Sequence, residues 1–269
     1  MSTTIRTMTI ADLPQGMRLT ALAGWNQTPA DWHRFLKLQP DGCFVAVMDG
    51  QCVGTATAFI FESVAWIAMV LVDPNYRKHG LGTALMNQAL TFTGQRTVRL
   101  DATALGQPLY AKLGFVGEYE LTRYAGVLAD TDGSATTPTT LKSVIALDYQ
   151  ATATPRTRLL EALAAEDGAH LRSVGSTGYL MDRPGAQATQ IGPAAALDSA
   201  SGVALLNDAA RRLAGKPVMI DIPVCNPPAI DWAEAAGLKA QRTFLRMRRG
   251  PAIVDHPAQI WASSGPEKG

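Results

Sequence analysis

Residues 70–90 read VLVDPNYRKHGLGTALMNQAL and form the most informative part of the sequence. An apolar run ends at Val72, Asp73-Pro74 turns the chain, and glycines then recur as Arg77-x-x-Gly80-x-Gly82 before an amphipathic helix. Glycines let the backbone approach a ligand closely, and the first N–H groups of a helix have no partner within the helix. The helix dipole adds positive potential at the same place. The pattern therefore predicts a binding site for a phosphate-bearing ligand.

Two other phosphate-binding patterns do not fit this stretch. A dinucleotide-binding fold would place the glycines after the first strand of a βαβ unit, with an acidic residue about 20 positions further on. The phosphate-binding loop that ends in Gly-Lys-Ser/Thr is also absent from the sequence.

The elements around this stretch alternate between strand and helix through the first 126 residues. The apolar run Ala65–Val72 has the composition of a strand that is buried on both faces. Asp49-Gly50 is a hairpin turn signal between two further strands. A helix over Leu81–Phe92 and a strand over Thr97–Ala102 follow. The pattern predicts an α/β (α+β) domain.

A second motif follows at Leu109–Phe115, with the sequence LYAKLGF. It resembles the Tyr-x-Lys-x-Gly-Phe signature of the GNAT acetyltransferases, and Arg77-x-x-Gly80-x-Gly82 resembles their Gln/Arg-x-x-Gly-x-Gly/Ala loop. Residues 5–125 are thus identified as similar to this superfamily. The resemblance implies a mixed, mostly antiparallel central sheet that is splayed between strands four and five. It also implies N-acetyltransferase activity.

The resemblance further implies that the chain binds acetyl-CoA as cosubstrate and needs no metal. Backbone groups near Leu71 and Val72 would bond the pantetheine arm. The pyrophosphate would lie on the loop and the first helical turn, namely Arg77, Lys78, His79, Gly80, Leu81, Gly82 and Thr83.

Three residues are candidates for proton transfer. Tyr110 matches the family tyrosine that often protonates the leaving CoA thiolate, and a tyrosine with a pKa of about 10 keeps its proton at neutral pH. It could equally be an aromatic anchor of a short helix. Glu62 and Asp101 are candidates for the general base through a water chain, or else are turn and capping residues. Thr103 departs from the family, in which many members carry an Asn that contacts the cofactor.

The acceptor is expected to bind at the segment Ala23–Thr28, between the first two helices. Trp25 and Asn26 could stack on a small acceptor and orient it, although a loop tryptophan can also simply cover the core. The predicted partner is a small-molecule amine.

The second half begins after a stretch with no large apolar residue. Residues 1–127 are predicted to form the acetyltransferase domain, 128–140 a linker, and 141–269 a smaller, degenerate GNAT-like α/β domain. Val98–Val116 and Val218–Leu238 share an order of apolar strand, Asp, turn with Pro, aromatic residue and Gly, which indicates a faint internal repeat. The second half has no counterpart of the glycine loop, so we expect it to bind no CoA.

Composition excludes several classes of protein. The 24 Lys and Arg nearly balance the 23 Asp and Glu, so no basic surface for nucleic acid is indicated. No apolar run approaches the roughly 20 residues that cross a bilayer. The three cysteines have no metal-ligand spacing and are expected to be reduced and buried. The expectation is a cytoplasmic monomer or homodimer without membrane contact.

Three alternatives stay open at this stage. The acceptor could be a protein N-terminus, a lysine or an antibiotic amine rather than a metabolite. The donor could carry a longer acyl chain. The chain could also be a non-catalytic acyl-CoA sensor, because no general base is evident in the sequence.

Overall fold

The computed structural model describes residues 3–131 and 136–269 as helices, strands and connecting loops. The strands are β1 Thr3–Thr7, β2 Cys43–Met48, β3 Gln51–Phe61, β4 Val64–Val72, β5 Thr97–Ala102, β6 Val116–Val127, β7 Thr137–Pro138, β8 His170–Val174, β9 Gly178–Arg183, β10 Thr189–Ala196, β11 Pro217–Pro223, β12 Lys239–Arg249 and β13 Ile260–Ala262. The helices are α1 Leu13–Leu22, α2 Pro29–Leu38, α3 Leu81–Thr93, α4 Gln107–Lys112, α5 Leu141–Thr152, α6 Thr157–Ala164, α7 Ser199–Arg212 and α8 Pro227–Ala235.

One mixed sheet runs through both halves, in the order β1-β2-β3-β4-β5-β12-β6-β11-β10-β9-β8-β7. Most neighbours in it are antiparallel, and β4 and β5 are parallel. The β4–β5 pairing covers only Val64–Trp66 against Thr97–Arg99. Beyond these residues the two strands separate, which confirms the predicted splay and opens a gap in the middle of the first half.

The two halves exchange their last long strands. β12 of the second half pairs with β5 of the first, and β6 of the first half pairs with β11 of the second. β12 and β6 also pair with each other, so the exchange continues the sheet across the boundary between the halves. Each half therefore closes its own sheet with a strand from the other.

The two parts of the internal repeat occupy equivalent places in the sheet. β5 and β11 each pair with an exchanged strand, and each carries an aspartate opposite an arginine. Asp101 on β5 lies opposite Arg246 on β12, and Asp221 on β11 lies opposite Arg123 on β6. All four side chains are buried, and each carboxylate receives two hydrogen bonds from the guanidinium opposite it, at 2.7–2.9 Å.

In the second half, β13 fills the place that the splay leaves open in the first. β10 and β11 are parallel over Thr189–Ile191, and β13 then pairs with β10 at Ala194 and Ala195. Two glycines make room for it. A Cβ on Gly192 would meet the Ser263 carbonyl oxygen at 2.0 Å, and one on Gly202 would meet the Trp261 ring at 1.9 Å. The chain thus closes the second cleft with its own segment.

Most strand and helix predictions lie close to the observed elements, and the differences are local. The sequence does not predict the helix α5, and the predicted linker 128–140 contains the short strand β7. Leu128 is buried in the core of the second half and β7 pairs with β8. Residues 132–135 of that linker lie outside the described residues. The domain boundary itself stays a prediction. The expectation that every cysteine is buried is wrong for Cys225, which is exposed just after β11.

One hydrophobic cluster joins the two halves. Trp32 and Phe35 of α2 pack in the same cluster as Leu159 and Leu163 of α6. Within the ranges 3–131 and 136–269, no helix has the length and apolar character needed to cross a bilayer.

We expect residues 1–140, produced alone, to aggregate or stay unfolded. Removing 141–269 takes away β12, so that β5 and β6 lose their shared neighbour and expose unpaired edges. Circular dichroism with size-exclusion chromatography measures the outcome. Coexpression with residues 141–269 is the matched control and should give a soluble two-chain complex. A monomeric 1–140 fragment that unfolds cooperatively would contradict the role of the exchange.

Candidate active site

The glycine loop between β4 and α3 is held by a short network of its own. Asp73 accepts a hydrogen bond from the backbone N–H of Asn75 at 2.9 Å and pairs with Arg18 of α1 at 2.6 Å. Lys78 and Gly80 both have positive φ, 67° and 75°, in the region that favours glycine. These turns bring the chain directly into α3, which begins at Leu81 with Gly80 as its N-cap. The N–H groups of the first helical turn therefore face outward beside the loop.

A groove of about 670 Å³ runs from this loop into the splay between β4 and β5. Its lining includes eight of the nine predicted cofactor residues, namely Leu71, Val72, Arg77, Lys78, Gly80, Leu81, Gly82 and Thr83. His79 is the exception, because its ring lies 3.3 Å from the carbonyl oxygen of Tyr76 and it does not line the groove. The groove has the size and the backbone donors that the phosphates and pantetheine arm of an acyl-CoA require.

A bulge in β4 shapes the inner end of the groove. The register against β3 shifts between Thr55 and Thr57, and Met69 takes a positive φ of 52°. The hydroxyl of Thr55 donates to the Met69 carbonyl at 2.8 Å and fixes the bulge from the β3 side. Such a kink re-aims the strand where it separates from β5.

A second, smaller cavity continues from the inner end of the groove. Its volume is about 60 Å³, and it is lined by residues of both halves. The two spaces share five lining residues: Trp25, Val70, Thr103, Tyr110 and Arg242. A ligand in the groove and a ligand in the cavity would therefore meet at Tyr110.

Tyr110 stands on α4, and its ring packs against Phe115 with centroids 6.1 Å apart. Its side chain is buried, and burial raises the pKa of Tyr110 to about 12. Its hydroxyl makes no hydrogen bond to another residue in the described part of the chain, so it is free to donate to a ligand. The aromatic ring anchors the short helix as well, so both interpretations of this residue fit the geometry.

The two predicted bases lie in different surroundings. Asp101 lines the small cavity, but both its carboxylate oxygens accept hydrogen bonds from Arg246, at 2.8 and 2.9 Å. Burial raises the pKa of Asp101, and the facing guanidinium opposes that rise. Glu62 lies in the exposed turn between β3 and β4, at the opposite end of β4 from the glycine loop, and lines neither space. The geometry explains Asp101 as the partner of Arg246 and Glu62 as a turn residue with a positive φ of 55°.

Of the two predicted acceptor residues in Ala23–Thr28, only one faces the site. Trp25 lines both spaces, whereas Asn26 lines neither. The Asn26 amide donates to the Ala188 carbonyl at 2.9 Å and accepts from the backbone N–H groups of Gln187 and Ala188, so it binds the segment to the second half. The next residue, Gln27, faces the cavity instead. No signal in the sequence separates these two neighbouring amides.

Four further lining residues come from the second half of the chain, and the sequence did not indicate them. They are Arg242 and Phe244 of β12 and Pro266 and Glu267 of the segment after β13. That segment is held in place because Trp66 donates its indole N–H to the Pro266 carbonyl at 3.1 Å and Lys268 pairs with Asp31 at 2.9 Å. No group of three or more metal-ligating side chains occurs within residues 3–131 and 136–269.

Each half of the chain matches a family model of GNAT acetyltransferases. Residues 12–115 match the model of the acetyltransferase (GNAT) family, and residues 144–262 match that of an acetyltransferase (GNAT) domain. A holothin acyltransferase of Pseudoalteromonas is 26% identical over 89% of this chain and 86% of its own. Human N-alpha-acetyltransferase 30 is 31% identical over 34% of this chain and 28% of its own.

Two solved structures resemble the fold over nearly the whole chain. A putative acetyltransferase from Pyrococcus horikoshii is 26% identical, with a TM-score of 0.88 over 99% of this chain and 96% of its own. A tandem GNAT protein from the clavulanic acid biosynthesis pathway is 16% identical, with a TM-score of 0.61 over 93% of this chain and all of its own, and it shares the fold alone.

We expect Asp101→Asn to destabilise the protein by about 3–5 kcal/mol, because the change leaves the buried Arg246 guanidinium without its counter-charge. Urea denaturation followed by fluorescence measures the free energy of unfolding. The comparison variant is Asp12→Asn, whose partner Arg6 has a 44% exposed side chain that water still solvates, so the free energy of unfolding should fall by less than in Asp101→Asn. An Asp101→Asn variant of normal stability with an altered pH–rate profile would instead make Asp101 the base.

Proposed function

Because the chain belongs to the GNAT acetyltransferases, with one GNAT domain in each half, we propose that its first half transfers an acetyl group from acetyl-CoA to the primary amine of a small molecule. The observation that carries the proposal is the junction of the two spaces at Tyr110. The groove suits a long phosphate-bearing cosubstrate, and the small cavity suits a small acceptor. Met69 of the β4 bulge lines the small cavity.

The groove residues have distinct roles in this proposal. The outward-facing N–H groups at the start of α3 would bind the pyrophosphate, assisted by the charges of Arg77 and Lys78. Leu71 and Val72 line the path of the pantetheine arm along β4. The bulge at Met69 places the inner end of β4 beside the cavity, where the thioester would have to lie.

The reaction is a direct transfer that acetyl-CoA supplies with its thioester. The neutral amine would attack the carbonyl carbon, a C–N bond would form and the C–S bond would break. The proton that the nitrogen loses would pass to solvent water, from which Tyr110 would regain the proton that it donates. Tyr110 is positioned to return a proton to the sulfur, because its hydroxyl is free at the junction and its raised pKa keeps it protonated.

The size of the cavity supports a small acceptor. A cavity of about 60 Å³ has room for only a few non-hydrogen atoms, which suits a small amine. The holothin acyltransferase extends over both halves of this chain, whereas the human N-alpha-acetyltransferase matches about a third of it. Both observations favour a small-molecule amine over a protein N-terminus.

We expect Tyr110→Phe to lower kcat by about 10²–10⁴-fold, because the variant keeps the aromatic packing on Phe115 but has no proton to donate. A thiol-release assay with acetyl-CoA and an amine panel measures it. Tyr149→Phe, at an exposed position on α5, is the matched control and should leave the rate unchanged. Release that is independent of any amine in both variants would instead favour the acyl-CoA sensor.

The pH profile tests the same role independently. Tyr110 acts as an acid, so activity that depends on it is lost only as the pH rises through its pKa of about 12. We expect kcat/KM not to fall between pH 7 and 10, because the proton is still bound throughout that range. A descending limb within this range that is absent in Tyr110→Phe would show that the tyrosine ionises too early to serve as the acid.

We expect Arg77→Ala to weaken acetyl-CoA binding by roughly ten- to a hundredfold, since a charged hydrogen bond to the phosphates would be lost. Isothermal titration calorimetry with acetyl-CoA gives the Kd. Lys216→Ala, an exposed lysine of the second half that lies outside the groove, should bind as tightly as the unchanged protein. Equal affinities in the two variants would remove Arg77 from the cofactor site.

A further inference from the structure

Among the charged residues that line the small cavity, one has no counter-charge. Asp101 pairs with Arg246, Arg123 pairs with Asp221, and Glu267 pairs with Arg183 and Lys268. The side chain of Arg242 makes no hydrogen bond and no ion pair within the described ranges 3–131 and 136–269. It lines both the cavity and the groove at their junction.

The neighbourhood of Arg242 adds to its positive potential. Arg242 on β12 lies directly opposite Arg123 on β6, so two guanidinium groups share one side of the sheet. The carboxylate of Asp221 is already bound twice by Arg123, at 2.7 and 2.8 Å. Arg242 is partly exposed to solvent, and its partial burial together with the charge of Arg123 lowers its pKa. An anion bound beside Arg242 would supply a counter-charge.

A buried polar atom without a hydrogen-bond partner faces the same cavity. Gln27 is 7% exposed and lines the cavity, and its Oε1 atom is buried with no hydrogen-bond partner in the described part of the chain. A buried carbonyl oxygen without a donor costs free energy, and such atoms are rare in folded proteins. The cavity beside Gln27 is the place from which a ligand can provide the donor. An amine N–H is a donor of the required kind.

We propose that the acceptor is a small amino acid, with its carboxylate bound by Arg242 and its amine held by Gln27. This inference rests on the proposed acetyl transfer and names the substrate class for it. Both contacts fall within one cavity of about 60 Å³, so the amine and the carboxylate must lie close together in the acceptor. Arg242 reaches the site on the exchanged strand β12, so the second half determines the specificity of the first.

Matched pairs of acceptors test the proposal. Glycine, alanine and β-alanine are compared with their amides, which keep the amine and lose the negative charge. We expect kcat/KM to favour each acid over its amide by roughly ten- to a hundredfold, the range of a hydrogen-bonded charge. Calorimetry of the same compounds with the protein saturated in CoA gives binding preferences without turnover.

Variants assign the preference to residues. In Arg242→Gln the kcat/KM values of an acid and its amide should lie within about twofold of each other. In Arg242→Glu the amide should become the better substrate. Gln27→Leu should lower kcat/KM for the acid and for its amide by the same factor, so that the ratio of the two kcat/KM values stays unchanged. Lys239→Gln, an exposed cation on the same strand outside the cavity, is the control and should change neither.

The outcomes separate this inference from the proposed function. Acetylation of amides and acids alike, or a ratio that survives Arg242→Gln, overturns the inference and leaves the transfer reaction intact. Weaker binding of CoA in Arg242→Gln, with no change in the ratio, also overturns it, since Arg242 then serves the cofactor. Arg242-dependent binding of acids without turnover supports the inference and refutes the transfer.

Discussion

The fold depends on two equivalent ion pairs across the middle of the sheet, Asp101 with Arg246 and Asp221 with Arg123. Each pair joins a strand of one half to the strand that the other half contributes. Neighbouring side chains on a strand face opposite ways, so a shift of one residue in β12 would turn Arg246 to the other face and leave buried charges unpaired. Buried ion pairs of this kind add little net stability, but they make a wrong register costly. The register in turn decides which side chains of β12 reach the small cavity.

The same register connects the pairs to the site. Arg246 lies 4.8 Å over the ring of Trp66 on β4, and Trp66 donates its indole N–H to the carbonyl of Pro266. Phe244, two residues before Arg246 and therefore on the same face, lines the cavity and carries Arg123 at 5.2 Å over its ring. One connected set of contacts therefore fixes the pairing of β12, the position of the segment after β13 and the wall of the small cavity. These contacts join residues from both halves of the chain.

The parts of this structure that the sequence predicts are local in the chain. The glycine pattern around Gly80, the apolar strand before it and the motif around Tyr110 each lie within about 20 residues, where turn chemistry and periodicity act directly. The exchange of β6 and β12 could not be predicted, because the two strands carry the same pattern and would place an arginine opposite an aspartate in either arrangement. The sequence makes Asp101 a candidate base because it ends the strand that follows β4, and its partner Arg246 lies too far along the chain for the sequence to indicate the ion pair. The sequence could not indicate Gln27 or Arg242 as site residues either. Their importance depends on which side chains the fold places next to them, and those side chains are distant in the sequence.

The exchange has a consequence for how the protein is made. On the ribosome, β5 emerges long before the strand that completes its sheet, and β12 follows roughly 140 residues later, which at about 5–20 residues per second is a wait on the order of ten seconds. During that interval the first half exposes an open strand edge beside an apolar core. A nascent chain in this condition is a natural client for a chaperone that shields strand edges. Faster synthesis shortens the time for which this edge stays open, so the rate of translation bears on correct strand pairing as well as the stability of the finished fold.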